Sequence, residues 1–252
     1  MGTRKPFDLP ALDDKLLDGL KFCMKVYDLL DQIRSEPDGL GKIRLLASKR
    51  EKRLLEELLP IAQYIQARYH TGNRLKIRWL SDSQPYDAIV WTPMIAVRKA
   101  GMPRKITLEV TTSTHQSAHL ARKQLHETGG SFGPKDIRVD KTTRQIVSTP
   151  YVYNGAEHIG DLINQIIGRI SAKAQKDYPP NTVLIINCET DGLILPDEWR
   201  SAIQHVENLG IHKSFREVFL YSPKGNHTAS IWGSNKQQQR KLNRQQRAKS
   251  SS

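Results

Sequence analysis

The sequence predicts an α/β fold with a mixed central sheet. Three observations carry this. Helical and strand-like segments alternate along the chain rather than segregating. Thr182–Cys188 is an unbroken apolar run bounded by Pro179-Pro180, as expected of an interior strand. Ahead of it lie three short strand-like segments joined by Pro- and Gly-containing links, the mark of antiparallel neighbours.

Taken in order, Asp13–Ile33 carries apolar residues at Leu16, Leu17, Leu20, Phe22, Cys23, Val26, Leu29 and Leu30, which is helical spacing. Ser35–Gly41 is a turn-rich break. A second helix is predicted over Leu45–Tyr69, with Pro60 as a kink or a restart. Its apolar stripe is Leu54, Leu58, Ile61 and Ile65; at 100° per residue Glu57 lies on the flank of that stripe and Glu56 points the other way. Leu75–Leu80, Asp87–Trp91 and Arg104–Thr112 read as strands. Ser113–Thr128 reads as a helix closed by Gly129-Gly130, and Ser131–Arg144 as a loop. Gln145–Tyr153 is a further strand candidate. Glu157–Tyr178 is a strong helix with an Ile-rich stripe. Asp197–Leu209 is predicted as a helix with Trp199 in the core, Phe215–Tyr221 as a strand and Thr228–Trp232 as an edge strand. The expected domain plan is an N-terminal helical extension (1–44), an α/β domain (45–233) and a disordered basic tail (234–252).

The chain has 252 residues and a formal net charge of +13, a balance that favours polyanionic partners. The tail contributes Lys236, Arg240, Lys241, Arg244, Arg247 and Lys249 with no acid, which still leaves +7 (13 less 6) on the remainder. No run approaches membrane-span length and the N-terminus lacks a signal-peptide apolar region, so no membrane association and a cytoplasmic setting are expected. The two cysteines, Cys23 and Cys188, sit far apart in apolar segments and read as reduced core thiols. There is no G-x-S-x-G elbow and no phosphate-cradling G-x-x-x-x-G-K-[ST] loop, which argues against serine-hydrolase chemistry and ATP use.

The chemically informative stretch is Ile106–Thr111. Period-2 alternation puts Ile106, Leu108 and Val110 on one face and Thr107, Glu109 and Thr111 on the other. A carboxylate inside a β-branched strand demands a partner, because burying an unpaired charge is costly. Asp87 opens the preceding strand. Two acids on adjacent strands can share a hard divalent cation through oxygen ligands.

A helix bearing inward Glu57, a strand opened by Asp87 and a strand carrying Glu109 resemble, in that order, the restriction-endonuclease-like superfamily known by its PD-(D/E)xK motif. The likeness covers about Leu54–Tyr221. Here Pro85-Tyr86-Asp87 has one inserted residue, and Glu109-Val110-Thr111 has threonine where the motif has lysine. The resemblance implies a nuclease hydrolysing phosphodiester bonds, in DNA foremost, with Mg²⁺ or Mn²⁺ held by Asp87, Glu109 and the Val110 carbonyl and aided by Glu57. Thr111 cannot supply the positive charge of the missing lysine. Arg122 and Lys173 are the candidate replacement cations; Lys123 is disfavoured by its direction. Gln116 is a neutral alternative that could orient water.

His115, His119, Arg122 and His126 line one helical face. That face can bind zinc through the i, i+4 pair, contact phosphates and assist proton transfer, or serve as a plain polar surface. Together with Gln116 and the basic tail, His115 and His119 are the candidate nucleic-acid contacts. The second reading of the whole chain is a nucleic-acid-binding module of the same fold with a degenerate site. The third is an interaction or structural protein localised by its tail.

Overall fold

The computed structural model describes residues 9–68, 74–81, 84–94, 97, 103–131, 137–150, 155–189, 194–223 and 227–233. A mixed sheet of seven strands has the order β1-β2-β3-β4-β7-β8-β9, from β1 (Leu17–Asp18), β2 (Lys76–Trp79), β3 (Ala88–Trp91), β4 (Lys105–Ser113), β7 (Thr182–Cys188), β8 (Glu217–Ser222) and β9 (His227–Trp232). The pairs from β1 to β4 are antiparallel, β4/β7 and β7/β8 are parallel, and β8/β9 is antiparallel. The mixed α/β architecture expected from the sequence is therefore the one observed. All seven residues of β7 are buried, as its unbroken apolar run requires.

Each face of the sheet carries a core. On one side α1 (Gly19–Ser35) packs on α4 (Leu59–Arg68), and Phe22, Val26, Leu29, Ile61 and Ile65 meet Trp79, Leu108, Val183 and Ile185. On the other, α6 (Gly155–Ala174) and α7 (Pro196–Asn208) bring Leu162, Ile166, Ile170, Trp199 and Ile203 onto Leu184, Ile186, Val218 and Leu220. Odd and even residues of β7 thus feed opposite cores, which is the period-2 rule at work. Trp199 is a core residue, as its helix pattern predicts, and Cys23 and Cys188 are buried free thiols. The described part of segment 1–44 packs into the same core as the strands that follow it. Among the described residues no helix is long and apolar enough to cross a membrane.

Several boundaries differ from those the pattern predicts. The first helix begins at Gly19 rather than near Asp13. Asp18 is its N-cap and accepts from the Leu20 N–H, while Leu17–Asp18 pairs with β2. A short helix α2 (Gly39–Leu45) follows the Ser35–Gly41 break. The predicted helix over 45–69 is three pieces: α3 (Lys49–Arg53), a π turn (Leu54–Leu58) and α4. Pro60 explains this. It has no N–H to give to the Glu56 carbonyl, and the ladder slips so that Leu59 N–H bonds to the Leu54 carbonyl, five residues back. The π turn contains Glu56 and Glu57. The helix after β4 is α5 (Ala118–Thr128), because β4 runs on to Ser113. Within the predicted loop 131–144, β5 (Ile137–Val139) forms a separate two-stranded ladder with β6 (Ile146–Ser148), so the strand predicted at 145–153 does not join the main sheet.

Candidate active site

The β3/β4 register brings the two acids together. Ala88 pairs with Leu108, and the Asp87 N–H donates to the Leu108 carbonyl at 2.8 Å. Asp87 and Glu109 are the next residues beyond this last pair, near enough that the Glu109 charge acts on the Asp87 carboxyl. Glu109 is paired with Leu184 of β7, whose side chain belongs to the core under α6, so Glu109 faces α6. It is only 6% exposed. Its partner is Lys173, one turn beyond Ile170 on the buried stripe of α6, whose ammonium is ion-paired with Glu109 Oε1. Of the two cations expected to stand in for the missing lysine, Lys173 is the one that reaches the acids. Arg122 is instead ion-paired with Glu189, the residue after β7. Lys123 turns to Glu127 on its own helix.

Asp87 Oδ2 accepts from the Val110 N–H at 2.7 Å. Burial pushes the Asp87 carboxyl up to about 7, and the Glu109 and Glu57 charges push the same way; the Val110 bond and Lys173 offset part of this. Val110 lies past the start of β3. Because Leu108 turns its carbonyl toward β3, alternation turns the Val110 carbonyl the same way, beyond the last strand pair and beside Asp87. The Tyr178 hydroxyl, just after α6, is buried near Glu109 without a hydrogen bond of ordinary geometry among the described residues. Burial and the Glu109 and Asp87 charges push it above the usual tyrosine range.

Glu57 sits in the π turn and is partly buried, as its place on the helix predicts. Its carboxylate accepts from Trp79 Nε1 at 3.3 Å, under the guanidinium of Arg53, which lies 5.6 Å from the Trp79 ring centroid. Burial raises its pKa, and Glu109 is near enough to add to the shift. Glu56 approaches Lys52 and the Arg122–Glu189 pair instead. Thr111 is half-buried on the Glu109 face.

The histidines of the predicted face make their described contacts within their own segment, and His115 precedes α5. His115 Nδ1 accepts from the Ser117 N–H at 3.2 Å and His119 lies at 3.2 Å from the Gln116 carbonyl; Gln116, His119 and His126 are exposed. Among the described residues, no three or more His, Cys, Asp or Glu side chains converge as a metal cage. This leaves the zinc reading of the His pair without support. Lys236, Arg240, Lys241 and Arg244 lie outside the described residues.

The acid cluster suits a hard cation chemically. Burial first, and then the Glu109 and Glu57 charges, raise the Asp87 carboxyl to about 7, and a divalent ion bound there would relieve that crowding. The Val110 carbonyl is a further oxygen donor beside these carboxylates. Sequence reasoning missed Tyr178 and Gln165. The polar spacing Gln165, Arg169, Lys173 (i, i+4, i+8) within an Ile-rich helix was the available signal for the second. Comparison with protein-family models, with curated proteins and with solved structures finds no match to this chain.

Proposed function

We propose that the chain is a divalent-metal-dependent nuclease that hydrolyses phosphodiester bonds, in DNA foremost. The observation that supports this best is the convergence of Asp87, Glu109 and Lys173, two acids and one cation, at the β3/β4 rim. Mg²⁺ or Mn²⁺, when bound there, would supply Lewis acidity and an activated water. Asp87, Glu109 and the Val110 carbonyl are the residues that would hold it. The Val110 N–H orients the Asp87 carboxylate. The Lys173 ammonium orients Glu109 and sets a positive charge where a phosphate oxygen must be accommodated, the part Thr111 cannot play. Glu57 keeps a third carboxylate behind the pair. The buried free thiols suit a reducing, cytoplasmic setting.

One observation favours the alternative, a binding module of the same fold. Lys173 already neutralises Glu109, so the pair is electrostatically satisfied without a cation. The two readings separate in one experiment. Purified protein is incubated with supercoiled and linear DNA and with RNA, in Mg²⁺, Mn²⁺ or EDTA. The nuclease reading expects cleavage that EDTA abolishes. Salt-dependent binding without turnover in any metal overturns it and leaves the module.

Lys173 provides a sharper check. Lys173→Met is expected to lower the single-turnover cleavage rate about 10²–10³-fold, the scale seen on removal of one preorganised charge-stabilising donor. Lys173→Arg should recover part of the loss, since the charge returns in a different shape. Equal rates for Lys173→Met and the parent chain would remove Lys173 from the site.

A further inference from the structure

Two contacts determine how α6 lies on β4. Ser113 Oγ donates to Gln165 Oε1 at 3.3 Å, and Lys173 is ion-paired with Glu109. From Glu109 to Ser113 the strand advances about 13 Å. From Lys173 back to Gln165 the helix advances about 12 Å. The helix therefore runs antiparallel to the strand with matched length, and the midpoints coincide. Arg169, one turn from each helix contact, stands opposite Thr111, which is two residues from each strand contact.

The angular position agrees. At 100° per residue Arg169 falls midway between Gln165 and Lys173, about 40° from each, on the part of the helix that meets the sheet. Its neighbours on that side, Leu162 and Ile166, are buried. Yet Arg169 is exposed, and no acid pairs with it among the described residues. Arg169 is thus an exposed guanidinium on the flank of α6, between the two contacts that tie this helix to β4, and Thr111 of β4 is half-buried.

We propose that Arg169 binds a phosphate of the nucleic-acid backbone beside the Asp87–Glu109 centre, at the level of Thr111. It provides a planar, permanently charged donor for an anion. The site then has two cations with separate duties: Lys173 is committed to Glu109, and Arg169 is open to the substrate. This inference rests on nucleic acid being the ligand of the site, whether or not it is cleaved.

The test uses the full chain and a fluorescein-labelled 20-base-pair DNA duplex, with Ca²⁺ in place of Mg²⁺ for binding. Arg169→Ala is expected to weaken binding about tenfold and to reduce the slope of log affinity against log salt by about 1. Arg169→Glu is expected to weaken it further. Arg169→Lys should recover the salt slope but not the whole affinity. In Mg²⁺ the loss should fall on KM. Thermal melting checks each fold, and an exposed side chain should leave it unchanged. Parent-like affinity and salt slope in both Arg169→Ala and Arg169→Glu overturn the inference. Loss of affinity in these variants, in a chain that never cleaves, supports Arg169 while sinking the nuclease reading. Cleavage by the parent chain with no effect of the variants does the reverse.

Discussion

Replacing Asp87 with asparagine is expected to abolish metal-dependent cleavage and, at the same time, to raise the melting temperature at pH 8. The two effects have one cause. The Asp87 carboxyl is pushed up to about 7, first by burial and then by Glu109. The folded state therefore holds this proton more tightly than the unfolded chain, where the group titrates near its usual value of 3.8. Between about pH 4 and 7 the folded state binds more protons than the unfolded one, so stability falls as pH rises through that window. At pH 8 the ionised group is a net cost. Asparagine keeps an oxygen to accept from the Val110 N–H and discards the charge. After discounting for partial exposure, the gain at pH 8 is on the order of 1–3 kcal/mol, a shift of about 5 °C in a domain of this size. Near pH 4 the gain should vanish. Cleavage should fall at least about 10²-fold, because the same charge is needed to hold the cation. In the parent chain, saturating Mg²⁺ should raise the melting temperature, and this should disappear in the variant. The parent's metal affinity should fall as pH drops below about 7, since the proton and the cation compete for one oxygen site. Undiminished cleavage by Asp87→Asn would remove the centre from the β3/β4 rim. A variant less stable than the parent at pH 8 would show that the carboxylate is held in place rather than tolerated.

The largest expected loss of stability lies elsewhere, at Arg68. Glu217 on β8 is 1% exposed and is ion-paired with Arg68 of α4; the Tyr64 hydroxyl donates to it at 3.4 Å. Arg68 also donates to Ser230 Oγ at 2.7 Å, and its guanidinium lies 5.6, 5.9 and 5.0 Å from the ring centroids of Tyr64, Phe219 and Trp232. Arg68→Ala leaves the buried Glu217 carboxyl without its cation and removes the flat surface those rings pack on. About 3–5 kcal/mol should be lost, the cost of stripping one partner from a buried pair. The double variant Arg68→Met, Glu217→Gln should recover most of it, since removing both charges leaves no buried ion behind. Urea denaturation of the three chains decides this. If the double variant is no better than Arg68→Ala, packing on the rings outweighs the charge. In either case residual Mg²⁺-dependent cleavage, measured below the transition, should survive. The pair sits on β8, which β7 separates from β4.

That contrast shows what an acid in a strand pattern can and cannot say. Glu109 and Glu217 look alike in sequence: each is a carboxylate in a β-branched or aromatic run. Both are buried with one cation. Glu217 is closed in by an arginine fork and aromatic rings. Glu109 shares its rim with a second acid, an unbonded hydroxyl and a strand end whose carbonyl has run past its neighbour.

Local order was legible in residue spacing. Period 2 placed Glu109 opposite Leu108 and Val110 across the sheet, and period 3.6 placed Lys173 on the stripe of Ile166 and Ile170. The all-apolar run 182–188 announced the central strand. These follow from backbone geometry, which acts within a few residues. What spacing could not decide was which cation meets which acid. Arg122 and Lys173 were equal candidates until α5 carried one to Glu189 and α6 carried the other to Glu109. Nor could spacing show that Asp87 and Glu109 come close at the β3/β4 rim, or that Pro60 shifts the preceding ladder into a π turn. Those are properties of how helices settle on a sheet. Packing selects that settlement from contacts between residues tens to over a hundred positions apart, and no local period records it.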